Sequence, residues 1–403
     1  MAKQITQNAK RTDNYAGYQD EIFSECFRHG RFPAVTMDPN KLEAQAKALL
    51  APGPFNYVAG GAGEKATMDA NRLAFRQWKI VPRFLRPLAE KNLKVELFGK
   101  TYDTPVLMAP IGVQAIFHED KEVGLAKVCS EIGIPMILST AASSSLEEVA
   151  TANGDGDRWF QLYWPEDNDV TQSLLRRAKV NGYKVLVVTL DTWKLAWRPA
   201  DLDAAYVPFF KGIGNAQGFT DPVFREKFEK KFNRKIEDDI PEASHEWIRT
   251  ISYGRSHTWE DIQLLRESWD GPIVLKGIQH PEDAKLALQY GCNGIIVSNH
   301  GGRQLDGAVG SLEMLPEIVE AVGNKLTVLF DSGIRTGADI IKALSLGAKA
   351  VLIGRPVVYG LAIAGKDGAK AVLRGLLADF DQSLALAGLQ SVKECNISAI
   401  RKV

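Results

Sequence analysis

The stretch GIIVSNHGGRQLD occupies residues 294–306, and the rest of the chain is organised around it. Its first four residues form a short apolar run of the kind that becomes a buried strand. This run continues into an imidazole, two glycines and a guanidinium rather than an ordinary turn. His300 can act as a base near neutral pH, and Arg303 can bind a carboxylate through two donors. The stretch therefore indicates a site for proton or hydride removal from an anionic substrate. The alternative is a glycine-rich loop with a structural histidine.

Seven further apolar, β-branched runs accompany residues 294–297. The eight runs lie at residues 106–109, 136–138, 159–162, 185–188, 273–275, 294–297, 326–330 and 350–353. Helical patterns separate most of them. Continuous apolar strands that alternate with helices are typical of parallel strands buried on both faces. We therefore predict an α/β fold whose strands close into a (β/α)8 TIM barrel, with an open doubly wound sheet as the alternative.

Three segments do not follow this alternation. Residues 1–100 predict an N-terminal arm and a helical segment packed on the barrel, with one helix over residues 38–50 and a break at Pro52. Residues 199–257 form a long insertion after the fourth strand, and their aromatic side chains argue against a disordered loop. Since a loop after a barrel strand opens at the face that carries the site, we predict a lid. The barrel is predicted over residues 101–390 and a C-terminal tail over residues 391–403.

Charge and composition exclude several classes of function. The 403 residues include 49 basic and 49 acidic side chains, so no positive field attracts nucleic acid nonspecifically. Four cysteines without a CxxC pair are typical of a reducing compartment. No apolar stretch reaches the roughly 20 residues of a membrane span, and the polar N-terminus lacks the apolar run of a secretory signal. We expect a cytoplasmic protein with no nucleic-acid partner, no membrane partner and no metal site.

Polar or conformationally special residues follow the apolar runs. In a barrel of this kind, chemistry takes place where strands end and loops begin. The candidates at these strand ends are Pro110, Ile111, Gly112, Ser139, Gln161, Tyr163, Thr189, Asp191, Lys276, Ser298, His300, Asp331, Gly333, Gly354 and Arg355. Single residues keep structural alternatives, since a Ser or Thr can cap a helix and Asp331 can pair with Arg335.

The last two strands predict an anion site. Gly333, Arg335, Gly354 and Arg355 supply backbone amides and guanidinium groups at the position where this architecture usually binds phosphate. A phosphorylated cofactor or substrate is therefore expected.

Lys276 leaves two chemistries open. It can form a Schiff base in a lyase, or it can balance negative charge on a reduced cofactor in an oxidoreductase. Arg198 and Arg303 favour oxidation of an α-substituted acid. A noncatalytic ligand carrier, the third possibility, would not need His300 near Asp191.

Motifs along the chain resemble the FMN-dependent α-hydroxy acid oxidising family, which includes glycolate and lactate oxidases. The resemblance covers about residues 40–390 in register. It rests on residues 57–61, 108–110, 161–163, 189–191, 275–277, 298–303, 331–335 and 354–356. Within the family, the likeness is strongest to the lactate 2-monooxygenases, through residues 191–199, 220–224, 257–262 and 277–281.

This resemblance implies FMN as the cofactor and assigns residues to it. The isoalloxazine ring would be held by Pro110, Ile111, Gly112, Ser139, Gln161, Thr189, Lys276 and Ser298. The ribityl chain and phosphate would be held by Asp331, Gly333, Arg335, Gly354 and Arg355.

The resemblance also implies a reaction, the oxidation of an (S)-2-hydroxy acid such as L-lactate with O2 as acceptor. Substrate would be bound by Tyr57, Tyr163, Arg198 and Arg303, and the catalytic group would be His300, Asp191, Lys276 and Tyr163. If pyruvate stays in the closed site, the products are acetate, carbon dioxide and water; if it leaves first, they are pyruvate and hydrogen peroxide. Ala141 replaces a tryptophan of glycolate oxidase, so substrate selection cannot be transferred from that enzyme. The resemblance further implies a homo-oligomer, a tetramer or an octamer.

Overall fold

The computed structural model describes residues 14–86, 91–252 and 257–403. Residues 1–13 of the predicted arm, residues 87–90, and residues 253–256 of the predicted lid lie outside the described part. Among the described residues, four helices and three short strands precede the barrel. They are α1 (Gly17–His29), α2 (Leu42–Lys47), α3 (Pro52–Ala59), α4 (Ala66–Gln77), β1 (Trp78–Ile80), β2 (Val95–Leu97) and β3 (Lys100–Tyr102).

Eight parallel strands form a closed barrel, so the predicted (β/α)8 fold is confirmed and the doubly wound alternative is wrong. The strands are β4 (Val106–Met108), β5 (Met136–Ser139), β6 (Arg158–Leu162), β7 (Leu186–Thr189), β8 (Ile273–Ile278), β9 (Gly294–Val297), β10 (Thr327–Phe330) and β11 (Ala350–Ile353). Neighbours along the chain are neighbours in the barrel, and β11 pairs with β4 to close it. The strands are buried along almost their whole length because side chains fill the barrel and helices cover it.

The remaining helices cover the barrel or belong to the insertion between β7 and β8. They are α5 (Lys121–Ile132), α6 (Leu146–Asn153), α7 (Asn168–Val180), α8 (Pro199–Asp203), α9 (Ala216–Phe219), α10 (Pro222–Phe232), α11 (Ile240–Ser252), α12 (Ile262–Ser268), α13 (Pro281–Gln289), α14 (Ser311–Val322), α15 (Gly337–Ser345) and α16 (Arg355–Leu386). The insertion contributes α8 to α11, and α16 is kinked at Ala364 and Gly365. A last strand, β12 (Ile400–Lys402), pairs antiparallel with β1.

The N-terminal segment differs from its prediction at two places. The helix expected over residues 38–50 begins only at Leu42, because the Asp38 carboxylate accepts a hydrogen bond from the Asn40 backbone N–H at 2.9 Å and forms a turn. The break expected at Pro52 is instead the start of α3. Proline suits the first helical position, since its fixed φ is helical and its missing N–H would have no partner there. Tyr57 therefore lies on a helix rather than in a linker.

Two features are absent from the described ranges. No helix in them has the length and mean hydropathy needed to cross a membrane. Nor do they contain a group of three or more His, Cys, Asp or Glu side chains able to hold a metal ion. Cys26, Cys129, Cys292 and Cys395 are all free thiols.

Candidate active site

A cavity lies at the carboxyl ends of the barrel strands. It is lined by the strand-end loops, by Tyr57 of α3, by Leu195 after β7, and by Phe209 and Ile251 of the insertion. Most of the residues predicted for the site line this cavity. They are Tyr57, Pro110, Ile111, Gly112, Tyr163, Arg198, Lys276, His300, Arg303, Asp331, Gly333, Arg335, Gly354 and Arg355.

Five predicted residues are not part of the cavity wall. Asp191 lies behind His300, and Ser298 bonds to Lys276. The remaining three, Ser139, Gln161 and Thr189, are buried at strand ends, where Ser139 is the register partner of Gln161 and Thr189 that of Lys276.

His300 is directed by an unusual backbone. It has a positive φ of 57°, and Gly301 and Gly302 continue the left-handed path with φ values of 65° and 74°. A Cβ at Gly302 would lie 2.6 Å from the Met68 side chain, so the close approach of α4 requires glycine there. The loop of the opening motif is therefore shaped by a tight turn that holds the imidazole at the cavity.

The His300 imidazole is hydrogen bonded to the end of β7. Its Nδ1 lies 2.8 Å from Asp191 Oδ1 and 3.0 Å from the Thr192 hydroxyl, and that hydroxyl donates to Asp191 Oδ1 at 3.0 Å. Donation from Nδ1 to the carboxylate leaves Nε2 as the basic nitrogen. The geometry is that of a base with a carboxylate that orients it.

The pKa values of this pair suit that chemistry. Burial raises the pKa of Asp191, but the charges of His300 and Lys276 outweigh burial and bring it down to about 2. Burial lowers the pKa of His300 below its ordinary 6.5; Asp191 opposes this shift and Lys276 adds to it. At neutral pH the carboxylate is therefore ionised and the imidazole is neutral, which is the state required of a general base.

Lys276 is a buried cation at the end of β8, with an exposed fraction of 4%. Its Nζ donates to Ser298 Oγ at 3.0 Å and forms an ion pair with Asp331 Oδ2 at 3.3 Å. Asp331 therefore pairs with Lys276, and the alternative of a local pair with Arg335 is wrong. Burial lowers the pKa of Lys276, but Asp331 and Asp191 outweigh it and raise the pKa above its usual value. The amine is thus held as an ammonium.

Two arginines that line the cavity, Arg198 and Arg303, have no carboxylate partner among the described residues. Arg303 Nη1 donates to the backbone carbonyls of Tyr57 at 2.5 Å and Gly60 at 2.9 Å, and Arg198 Nε donates to the carbonyl of Arg303 at 2.9 Å. Neither forms an ion pair with any residue that the structure describes. Burial and the charge of Arg303 lower the pKa of Arg198 to about 10, so the guanidinium remains charged. Both positive charges are left available for an anionic ligand.

Two more arginines, after β10 and β11, also have guanidinium groups without a carboxylate partner among the described residues. Arg355 donates to the carbonyls of Val58, Gly301 and Gly60, and Arg335 Nη1 donates to the carbonyl of Ile334. Within residues 14–86, 91–252 and 257–403, neither guanidinium has a carboxylate partner. Burial, with the charge of Arg303, lowers the pKa of Arg355 to about 9. Partly buried cations without a carboxylate partner are expected where a ligand supplies the negative charge.

Sequence reasoning missed two polar residues beside the site. Thr192 contacts both His300 and Asp191, and Gln304 hydrogen bonds to Arg198 and to the backbone carbonyl of Asp191. Thr192 directly follows the candidate residue Asp191, and Gln304 lies within the stretch 294–306. Their proximity in sequence was therefore a usable signal, but only the tertiary contacts reveal what they touch.

Known proteins share this arrangement of sequence and fold. The sequence profile described as FMN-dependent dehydrogenase matches residues 46–402. An FMN-dependent alpha-hydroxy acid dehydrogenase, qulF of Penicillium citrinum, is 58% identical over 97% of this chain and 96% of its own. The L-lactate oxidase of Lysinibacillus sphaericus is 40% identical over 90% of this chain and 91% of its own. A crystal structure of mandelate oxidase superposes with a TM-score of 0.78, at 36% identity, over 91% of this chain and 98% of that one.

This chain belongs to the FMN-dependent α-hydroxy acid oxidase and dehydrogenase family. It is an FMN-dependent oxidoreductase that acts on 2-hydroxy acids, so the predicted family and cofactor are confirmed. The cavity fits FMN on grounds of its own. Arg335 and Arg355 offer uncompensated charge for a phosphate. The Gln161 Nε2 amide is buried and has no hydrogen-bond partner among the described residues, as expected of a donor that meets a polar ring edge.

Proposed function

We propose that this member of the family oxidises L-lactate with O2 as the acceptor and releases acetate, carbon dioxide and water. The observation that carries the substrate class is the pair of guanidiniums, Arg198 and Arg303, beside the basic imidazole of His300. Two cations without carboxylate partners among the described residues suit a substrate carboxylate. A base next to them suits the hydroxyl on the adjacent carbon. A 2-hydroxy acid carries both groups on neighbouring carbons.

Substrate binding is assigned to four side chains. Arg198 and Arg303 bind the carboxylate, and fixed cations reduce the entropy that the reacting complex must lose. Tyr57 and Tyr163 bind the carboxylate and hydroxyl through their phenol groups. Burial raises the pKa of Tyr163, so its hydroxyl keeps its proton and remains a donor at neutral pH.

The proton is assigned to His300, whose Nε2 accepts it from the substrate hydroxyl. The imidazolium that results is stabilised by the Asp191 carboxylate at 2.8 Å. FMN, when bound, supplies the acceptor for the two electrons that leave with the α-hydrogen. Lys276, an ammonium on the cavity wall, stabilises negative charge that develops on the cofactor side.

We assign the other predicted residues to the cofactor. Ser139, Thr189 and Ser298 are assigned to the isoalloxazine ring, although they lie at strand ends behind the cavity wall. The complete proposed set is Pro110, Ile111, Gly112, Ser139, Gln161, Thr189, Lys276 and Ser298 for the ring, and Asp331, Gly333, Arg335, Gly354 and Arg355 for the ribityl chain and phosphate.

The products depend on whether pyruvate remains in the cavity while peroxide is present. Retained pyruvate reacts with hydrogen peroxide to give acetate, carbon dioxide and water, which balances one lactate and one O2. The insertion supports retention, since its Phe209 and Ile251 belong to the cavity wall and α10 is anchored to the barrel by a buried ion pair, Arg177–Asp221. Release of pyruvate and peroxide, as in an oxidase, is the second candidate, favoured by the likeness to an L-lactate oxidase. A Schiff-base lyase is disfavoured because protonated Lys276 has no lone pair.

Product analysis of the FMN-loaded protein tests the proposal. We expect anaerobic L-lactate to bleach the flavin absorbance, D-lactate not to do so, and aerobic turnover to yield acetate stoichiometric with lactate. Catalase is included in a parallel reaction, because free peroxide converts free pyruvate to acetate without an enzyme. Acetate that persists with catalase supports the monooxygenase. Pyruvate that accumulates with catalase indicates an oxidase, and flavin that no 2-hydroxy acid bleaches would overturn the catalytic assignment.

A further inference from the structure

We propose that Gln304 is a positioning residue. It holds Arg198, which is proposed to bind the substrate carboxylate, in place without neutralising its charge. The inference rests on the proposed substrate. Gln304 follows Arg303 in the loop after β9, and its side chain is half-buried. Its Oε1 accepts a hydrogen bond from Arg198 Nη2 at 2.5 Å. With the Arg303 carbonyl on Nε, the loop after β9 holds two sides of the Arg198 guanidinium.

The chemistry of the acceptor matters more than its presence. A buried guanidinium is most often met by a carboxylate, which would fix its geometry but also neutralise it. An amide oxygen fixes the same geometry and leaves the full positive charge for a ligand. Asp201 does not take the role of the carboxylate: its pKa is raised by burial although both arginines oppose this, and it forms no ion pair with either. A neutral partner is what a carboxylate-binding arginine requires.

The same amide also reaches the residue that orients the base. Gln304 Nε2 donates to the backbone carbonyl of Asp191 at 2.8 Å and to that of Lys194 at 3.0 Å. One side chain therefore ties Arg198 to the segment that carries Asp191. The distance between the bound carboxylate and the His300 imidazole is then set partly by Gln304.

Two substitutions are compared so that the effect of charge can be separated from the loss of hydrogen bonds. Gln304→Glu keeps the acceptor for Arg198 and adds a negative charge, but it loses the Nε2 donor to the Asp191 and Lys194 carbonyls. Gln304→Leu removes all three hydrogen bonds without adding a charge. Gln263→Glu, the same change on the exposed face of α12, is the matched control. The FMN-loaded variants are titrated with oxalate, a dicarboxylate without an α-hydrogen, by the change in flavin absorbance. Thermal unfolding and FMN content report whether each variant is folded.

We expect Gln304→Glu to raise the Kd for oxalate at least about tenfold, a change of about 1.4 kcal/mol, because its carboxylate neutralises the Arg198 guanidinium that would bind the ligand. Gln304→Leu leaves the charge of Arg198 free, so it should raise this Kd less. Both variants should lower kcat, because neither holds Arg198 to the segment that carries Asp191, and Gln304→Glu should raise KM for the hydroxy acid more than Gln304→Leu does. The control should match the wild type. A Kd within about twofold of wild type in both Gln304 variants would overturn the inference. If the wild type itself neither binds oxalate nor oxidises a hydroxy acid, the proposed function has failed instead.

Discussion

His300 is a partly buried imidazole whose basicity depends on two neighbours of opposite charge. Asp191 at 2.8 Å favours the protonated ring, while burial and the Lys276 ammonium favour the neutral one. The neutral form wins, since the pKa of His300 is lowered from 6.5. The ring is therefore a base through the physiological range and becomes useless only when acid protonates it.

The acid limb of the pH profile should report this shift. For the wild type, kcat/KM should be constant near neutral pH. It should decrease as the pH is lowered past the pKa of His300, which lies under 6.5. Asp191→Asn removes the charge that raises the His300 pKa, so the limb should move to still lower pH. The plateau should also drop by about 10²-fold or more, because the imidazolium loses its stabilising charge. The measurement is kcat/KM against pH, with His300→Gln as the control that loses the limb. An apparent pKa above 6.5 for the acid limb, or one that rises in Asp191→Asn, contradicts the assignment of His300 as the base.

At the scale of elements, the insertion is attached to the barrel by helix α10. Asp221 caps this helix, accepting from the N–H groups of Val223 and Phe224, each at 3.0 Å. The same carboxylate pairs with Arg177 of α7 at 3.2 Å and accepts from the Ser173 hydroxyl at 2.8 Å. The Asp221 side chain is fully buried. One carboxylate therefore starts the helix and fixes it to the barrel wall.

Removal of this anchor should be costly. Asp221→Ala takes away the cap and leaves the buried Arg177 without one of its two ionic partners, so we expect a loss of about 3 kcal/mol in the free energy of unfolding. Lys227→Ala on the same helix removes half-exposed ion pairs with Asp167 and Asp169 and should cost about 1 kcal/mol or less. Urea unfolding of both variants makes the comparison. Equal losses would mean that the buried pair does not anchor the insertion.

At the scale of the whole molecule, the barrel collects positive charge at one end although the chain is neutral overall. Arg198, Arg303, Arg335 and Arg355 all line one cavity, and none has a carboxylate partner in the part of the chain that the structure describes. Burial, and after it repulsion from the charge of Arg303, lowers the pKa of Arg198 and of Arg355. Barrel closure brings these like charges together at the strand ends, which is energetically unfavourable. An anionic ligand reduces the repulsion between them.

FMN should therefore stabilise the folded protein more than riboflavin does. A ligand at a thousandfold excess over its Kd adds about 4 kcal/mol to the free energy of unfolding. Riboflavin has the same ring without the phosphate, so it should raise the Tm of the apoprotein less at equal concentration. Arg355→Met should shrink the difference between the two ligands, which differential scanning calorimetry measures. Equal stabilisation by both ligands in the wild type would remove Arg335 and Arg355 from the phosphate site.

The sequence by itself determined the fold and the residue types at the strand ends. The eight apolar runs are local patterns, and each became a barrel strand within a residue or a few of its predicted limits. Because parallel strands in a barrel all end on one face, placing His300, Lys276 and Arg355 near one another needed only the strand order. The family motifs added the cofactor.

Only the tertiary structure decided which of these side chains touch. Asp331 pairs with Lys276, a residue 55 positions away, rather than with the nearby Arg335, and Gln304 meets Arg198 across 106 positions. Such contacts depend on barrel closure and on the turn at His300, which periodicity does not encode. Hydrophobic patterning is set by each residue's own polarity, whereas a hydrogen bond needs two distant groups within about 3 Å. That second condition is met only once the whole chain is folded.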